Sequence, residues 1–230
     1  SFLVNSYFSK VSDIAHELNF VPVHGALLDL GLSSLQLDFE ERGFSFSDNN
    51  ILDMRFGLNN NLTAKRIVNE YSEIEISDII YKFSQDPNSR VIAKAIIKSR
   101  PFNNSKELAD LISSVKLKVK RKHHPATLTF QALRMAVNDE VEELNKVLSD
   151  SFSLLGVGGR LAVISYHSTE DKIVKKFINE GLITCKCPPL NLECKCNITP
   201  SLKTINKKPI TPTLEEINQN PRSRSAKLRV

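Results

Sequence analysis

No apolar run in the chain reaches the length of about 18 residues that a membrane-spanning helix needs. The opening SFLVNSYFSK has neither the basic start nor the long apolar stretch of a secretory leader. These absences argue against a transmembrane segment and predict a cytoplasmic protein. Cysteine is absent from most of the 230 residues; all four fall within CKCPPLNLECKC, at Cys185, Cys187, Cys194 and Cys196. A disulfide-stapled secreted scaffold is therefore not expected. No glycine-rich loop joins a strand to a helix: Gly156, Gly158 and Gly159 precede a strand, which reads as a helix-stop turn and not as a phosphate loop. A large excess of either charge is absent too, with 31 Lys and Arg against 26 Asp and Glu, a net +5 and a pI near 9.0.

What is present is a chain long enough, and at 41% hydrophobic apolar enough, for a sizeable core. The segment VHGALLDLG, Val23 to Gly31, is a short apolar run closed by Asp and Gly, the pattern of a buried parallel strand. Ahead of it Val11, Ile14, Ala15 and Leu18 recur at helical spacing. A second helix-strand unit runs through Phe130, Leu133, Val137, Val141, Leu144, Leu148, Phe152 and Leu155 as one long helix, followed by RLAVISYHS as a strand. Between them LTAKRIVNEYS, EISDIIYKFSQ, SRVIAKAIIKSR and SKELADLISSV read as four short helices. The closing RSAKLRV alternates like a strand returning to the sheet. The expectation is an α/β fold with an all-helical insertion: residues 1–57 the first part of the core, 58–124 the insertion, and 125–230 the second part with a cysteine loop and C-terminal strand.

In an open α/β sheet, ligands bind beyond the carboxyl ends of the strands. This directs attention to DLGLSS (Asp29, Ser33, Ser34) and SYHSTED (His167, Ser168, Glu170, Asp171). Histidine at the second end could act as a base, but STED also reads as a capped helix start at Ser168 or Thr169, and capping ranks above catalysis. Two basic stretches face a polyanion or solvent: KLKVKRKHH, Lys116 to His124, with five Lys and Arg, and the tail from Pro200, with seven against Glu215 and Glu216. The paired C-x-C motifs suit four thiolates around a tetrahedral zinc, against reduced loop cysteines or a redox knot.

Four blocks in order, LLDLGLSSLQLDFEERGFSFSDNNILDMR, HPATLTFQALRMAVNDEVEEL, GGRLAVISYHSTEDKIVKKF and NPRSRSAKLRV, closely resemble the bacterial 16S ribosomal RNA cytosine-N4 methyltransferases, the MraW family. The resemblance implies a Rossmann-like class I methyltransferase core, here N-terminally incomplete. It also implies S-adenosylmethionine as cofactor, and 16S rRNA within the small ribosomal subunit as partner. Phe8, Asp29 and Gln36 match the family's cofactor contacts, although the usual Pro before Gln36 is Leu35. Absent are the family's Gly-rich loop ending in Gly-Gly-His and the acidic residue that holds the ribose. With Ser1 in place of Met, this gives the expectation of an enzyme fragment, or of a non-enzymatic RNA-binding remnant, that binds the cofactor weakly.

Methyl transfer to an exocyclic amine needs an oriented nucleophile and an acceptor for its N–H bonds. Asp29 and Ser33 are the expected catalytic pair. Phe39, Phe44 and Phe46 are candidates for walling the base, with core packing as the alternative for each. Arg42, Lys120, Arg121, Lys122, Arg222 and Arg224 are the expected RNA contacts. The oligomeric state, a homodimer included, stays open.

Overall fold

The computed structural model describes residues 1–33, 42–46, 49–57, 60–116, 124–185, 187, 196 and 198–230. The chain divides into two compact units, residues 1–31 with 141–230, and residues 32–140.

The first unit carries the sheet. A 3-10 turn at Phe8–Lys10 leads into α1 (Val11–Glu17), then β1 (Val23–Asp29). β1 pairs in parallel with β2 (Leu155–Ser165), from Gly25 against Arg160 to Asp29 against Ile164, and β3 (Lys227–Arg229) adds antiparallel to β2. The order among the described residues is β1-β2-β3. Alternation along β1 turns Leu28, with Leu30 just beyond it, to one face. There they join Val163 of β2, Leu144, Val147 and Leu148 of a long helix before β2, and Val174 of the helix after it. Leu27, on the opposite face, is 65% exposed.

The expected return of the C-terminus to the sheet is present, and charge anchors it. Asp171 accepts from Arg229 Nε at 2.8 Å and Lys227 Nζ at 3.1 Å. Burial pushes the Asp171 carboxyl up, but these two cations outweigh it and hold the group below the usual carboxylate range.

The second unit is helical: α2 (Ala64–Glu70), α3 (Glu73–Ser84), α4 (Ser89–Ser99), α5 (Ser105–Val115) and α6 (Thr127–Val137). The four short helices expected from sequence are α2 to α5. Thr63, Ser72 and Asn104 cap three of them, each accepting the backbone N–H three residues on, and Ser72 with Glu75 completes a capping box. Ile92 and Ile96, like Leu108 and Ile112, lie one turn apart and are fully buried. This unit is wider than residues 58–124, because Phe44, Leu52 and Met54 before the insertion, and Ala126, Phe130, Leu133 and Val137 after it, belong to the same apolar cluster.

Two expectations change. The long amphipathic run is two helices, α6 and α7 (Glu140–Leu154), broken where Asp139 takes a left-handed backbone with φ of 50°. Asn138 stabilises the break: its side-chain amide donates to Met54 O at 2.7 Å and accepts from Phe56 N at 2.7 Å. The glycine cluster is not a turn after the helix but lies within β2, where register jumps from Val23–Leu155 to Gly25–Arg160. Gly158, at φ of 80°, supplies the backbone that a side chain would strain.

Lys116, read from sequence as part of a polyanion-facing stretch, is instead interior. Its ammonium meets Asp86 Oδ2 at 2.5 Å, both side chains are 1% exposed, and it also donates to Pro125 O at 2.6 Å. Asp86 in turn accepts the Asn88 backbone N–H at 3.0 Å ahead of α4. Burial pushes the Asp86 carboxyl up, yet the hydrogen bonds from Lys116 and Asn88 prevail and leave it lowered. Lys116→Met is expected to destabilise the protein by about 3–5 kcal/mol in urea unfolding, because it strands a buried carboxylate, while Lys116→Met with Asp86→Leu recovers much of the loss. The native carboxyl lies below its unfolded value of about 3.9, so the pair's contribution is complete above that pH and disappears as pH falls through the native value. Acid titration of the wild type against the double variant measures it.

Candidate active site at the ends of β1 and β2

Parallel pairing brings the two strand exits side by side. β1 ends at the exposed Asp29, and Leu30 N still donates to Ile164 O at 3.1 Å. The chain then turns through Gly31, whose φ of 89° is left-handed and therefore suited to glycine. A Cβ there would sit 3.7 Å from the Tyr166 ring and 4.0 Å from Glu170 Oε1, so the two exits pack closely.

Across the exits, the Tyr166 hydroxyl donates to Asp29 Oδ1 at 2.9 Å. Burial first, and then Asp29 itself, pushes the Tyr166 phenol up to about 12. It is therefore a neutral donor at pH 7, holding one side of a carboxylate that has further acceptor directions. Sequence reasoning missed Tyr166. The available signal was its position directly after β2, opposite an acid that ends β1.

The other acid of this turn serves the backbone. Glu170 is 4% exposed and accepts from Tyr166 N at 2.8 Å and His167 N at 3.3 Å. His167 is the N-cap of α8 (Ser168–Gly181): its Nδ1 accepts from Glu170 N at 3.4 Å, completing a reciprocal box, and its Nε2 lies 3.0 Å from Glu170 Oε1. Capping thus holds over catalysis, but the cap is His167, not Ser168 or Thr169. An acceptor nitrogen takes the place of the usual hydroxyl.

Of the other expected site residues, Ser33 is exposed just beyond Gly31, and Phe8 is 43% exposed in the first 3-10 turn. Gln36, Ser34 and Phe39 lie outside the described residues, as do Lys120, Arg121, Lys122 and Cys194. Arg42 directs Nη1 to the carbonyls of Arg55 and Phe56, each at 3.0 Å. Arg222 and Arg224 are exposed on the 3-10 turn Pro221–Ser225. Phe44 and Phe46 both pack within the helical unit: Phe44 is 8% exposed in its core, and Phe46, half-buried, stacks on His124 at 4.7 Å and meets Phe130 edge-on at 5.4 Å. The packing alternative holds for both.

The two tyrosine-side interactions differ in energetic weight. Glu170→Ala leaves buried N–H donors without their acceptor, and a loss of about 1–3 kcal/mol is expected, whereas Tyr166→Phe removes one solvent-accessible hydrogen bond and is expected to lose no more than about 1.5 kcal/mol. Urea unfolding of both variants gives the order; an equal or larger loss for Tyr166→Phe would contradict this division of roles.

Comparison with known protein families matches residues 1–230 to the one described as the MraW methylase family. Among curated relatives, the chain is 51% identical over 228 residues to the ribosomal RNA small subunit methyltransferase H of Dehalococcoides mccartyi strain 195, covering 99% of this chain and 65% of that protein. Proteins of the same name from Caldicellulosiruptor saccharolyticus and Lawsonia intracellularis are each 46% identical, with 99% of this chain and 75% of each relative covered. The chain thus spans about two thirds of the length of the first of these relatives. A match along the whole chain, joined to relatives this similar, establishes that the chain belongs to the MraW methylase family.

Proposed function

We propose that this chain is the part of a small-subunit ribosomal RNA methyltransferase that holds the acceptor amine, with S-adenosylmethionine as donor and the N4 of a cytosine in the decoding region of 16S rRNA as target. The observation that carries the reading is the family match over all 230 residues. The Asp29 carboxylate, exposed at the end of a parallel strand and followed in the chain by Gly31 and Ser33, supports it. These residues fit a cationic cofactor in part: a carboxylate complements a sulfonium and an amino group, and Phe8 and Gln36 are the other contacts that the resemblance implies. When bound, the cofactor supplies an electrophilic methyl carbon.

The chain's own residues address the amine. The N4 lone pair is delocalised into the cytosine ring, so a productive site must orient the amino group and accept its N–H bonds as positive charge develops. Asp29 is the acceptor, and Ser33, four positions on in the chain, is assigned as a second polar group from sequence. Tyr166 is a positioning residue, since its hydroxyl holds Asp29 Oδ1. Arg222 and Arg224, exposed beyond α9 (Leu214–Gln219), are suited to phosphate contacts. Lys120, Arg121 and Lys122 are assigned to the same task from sequence alone.

The test is transfer of a tritiated methyl group to small-subunit RNA by the intact protein. Asp29→Ala is expected to abolish transfer while losing no more than about 1.5 kcal/mol in unfolding, the most expected from losing the hydrogen bond with Tyr166; wild-type turnover in that variant removes Asp29 from the mechanism. The 230-residue chain by itself is expected to bind S-adenosylmethionine weakly, because it contains no Gly-Gly-His loop. Calorimetric titration showing micromolar affinity would overturn that expectation. An intact protein that retains the RNA but binds no cofactor would replace the enzyme reading with an RNA-binding one.

A further inference from the structure

Among the described residues, Cys185, Cys187 and Cys196 belong to neither hydrophobic cluster. Cys185, Cys187 and Cys196 are thiols, not disulfide sulfurs, and their Sγ atoms all lie within 4.8 Å of one another. A tetrahedral zinc with Zn–S bonds of about 2.3 Å places its sulfurs about 3.8 Å apart. The three thiols therefore need only a contraction of about an ångström or less to share one ion.

The backbone already closes the loop. α8 ends at Gly181, and the chain is back at the same residue by Leu202: Ser201 N and Leu202 N both donate to Gly181 O, at 2.9 and 3.1 Å. The Leu202 side chain packs where a Cβ on Gly181 would stand, 2.4 Å from its nearest carbon, so any larger residue at 181 would have to displace it. The cysteines thus sit on a loop whose two ends are fixed together, which lowers the entropy lost on binding an ion. Within the first pair, Cys187 N–H donates to Cys185 Sγ at 3.3 Å. A hydrogen bond to sulfur favours the thiolate that a metal requires.

We propose that Cys185, Cys187 and Cys196 bind a structural zinc ion that clips the loop following α8. Thiolates in a closed set favour zinc over hard cations such as magnesium or calcium. Cys194, the first member of the second C-x-C pair, lies outside the described residues and is tested separately.

The experiment is zinc analysis by plasma mass spectrometry of tag-free protein, loaded with zinc under reducing conditions and then passed into metal-free buffer. About one zinc per chain is expected in the wild type, and loss of at least about tenfold in Cys185→Ser, Cys187→Ser and Cys196→Ser. Circular dichroism of the variants is expected to be preserved, because both cores lie elsewhere. Zinc is also expected to shield the three thiols from iodoacetamide in the wild type, a readout that does not use variants. Retention by Cys194→Ser supports a three-sulfur site closed by another ligand, and loss supports four thiolates. A wild type that leaves the column without zinc, or thiols that alkylate equally with and without it, overturns the proposal.

Discussion

The parallel pairing of β1 with β2 is the constraint on which the candidate site depends. Asp29 and Tyr166 are 137 positions apart, and only the register that sets Asp29 against Ile164 brings their side chains together. A parallel pair cannot be closed by a tight turn and needs a crossover. Here the intervening chain includes residues 32–140, which form a compact unit with their own core. Because that unit collapses on itself, the ends that must meet are joined by a folded body and not by a long loose loop. The entropic cost of closure is correspondingly smaller.

Carboxylates divide by what they satisfy. Asp86 neutralises an interior ammonium, Asp171 fastens β3 to the start of α8, and Glu170 takes the N–H groups of the turn after β2. For Asp86 and Asp171 the carboxyl is lowered by partners that belong to the fold. Perturbed acids cluster at active sites in many proteins, but ion pairs within a scaffold perturb them as well. The acid proposed to act on the amine is distinguished by exposure and by position at a strand end, with the neutral Tyr166 phenol hydrogen-bonded to it.

Local signals in the sequence were sufficient for much of this. The apolar run ending in Asp-Gly marked β1, alternation marked β3, and Thr63 and Ser72 stood at helix starts because capping is settled within four residues of chain. What failed depends on partners distant in sequence. The Asn138-Asp139 pair is a local signal for a break that the apolar spacing on both sides outweighs; the partners that hold it, the main chain of Met54 and Phe56, are distant in sequence. Lys116 looks like its basic neighbours until Asp86 is placed beside it, and Phe44 and Phe46 look like a base-stacking wall until His124 and Phe130 close over the cluster. His167 was the nearest miss. Its capping role is local, but imidazole lies outside the usual Ser, Thr, Asp and Asn set, so the preference pointed to the hydroxyls that follow.

Burial is uneven between the units, and this bears on where the chemistry lies. The helical unit holds a run of fully buried Ile, Leu and Val side chains, from Leu52 to Val137. The sheet unit has a smaller cluster and leaves Phe2, Leu3, Phe20, Leu27 and Val157 all at least 49% exposed. Leu27 is the informative one. It lies inside an apolar strand, on the face away from Leu28. Opening motions draw on segments with few buried apolar contacts. Asp29, two residues along the same face of β1, therefore depends for its orientation less on surrounding core than on specific polar attachments: the hydroxyl of Tyr166 on its carboxylate, the Leu30–Ile164 hydrogen bond beyond it, and the turn that Glu170 holds closed. In this strand end, hydrogen bonding does the work of positioning that packing does in the helical unit.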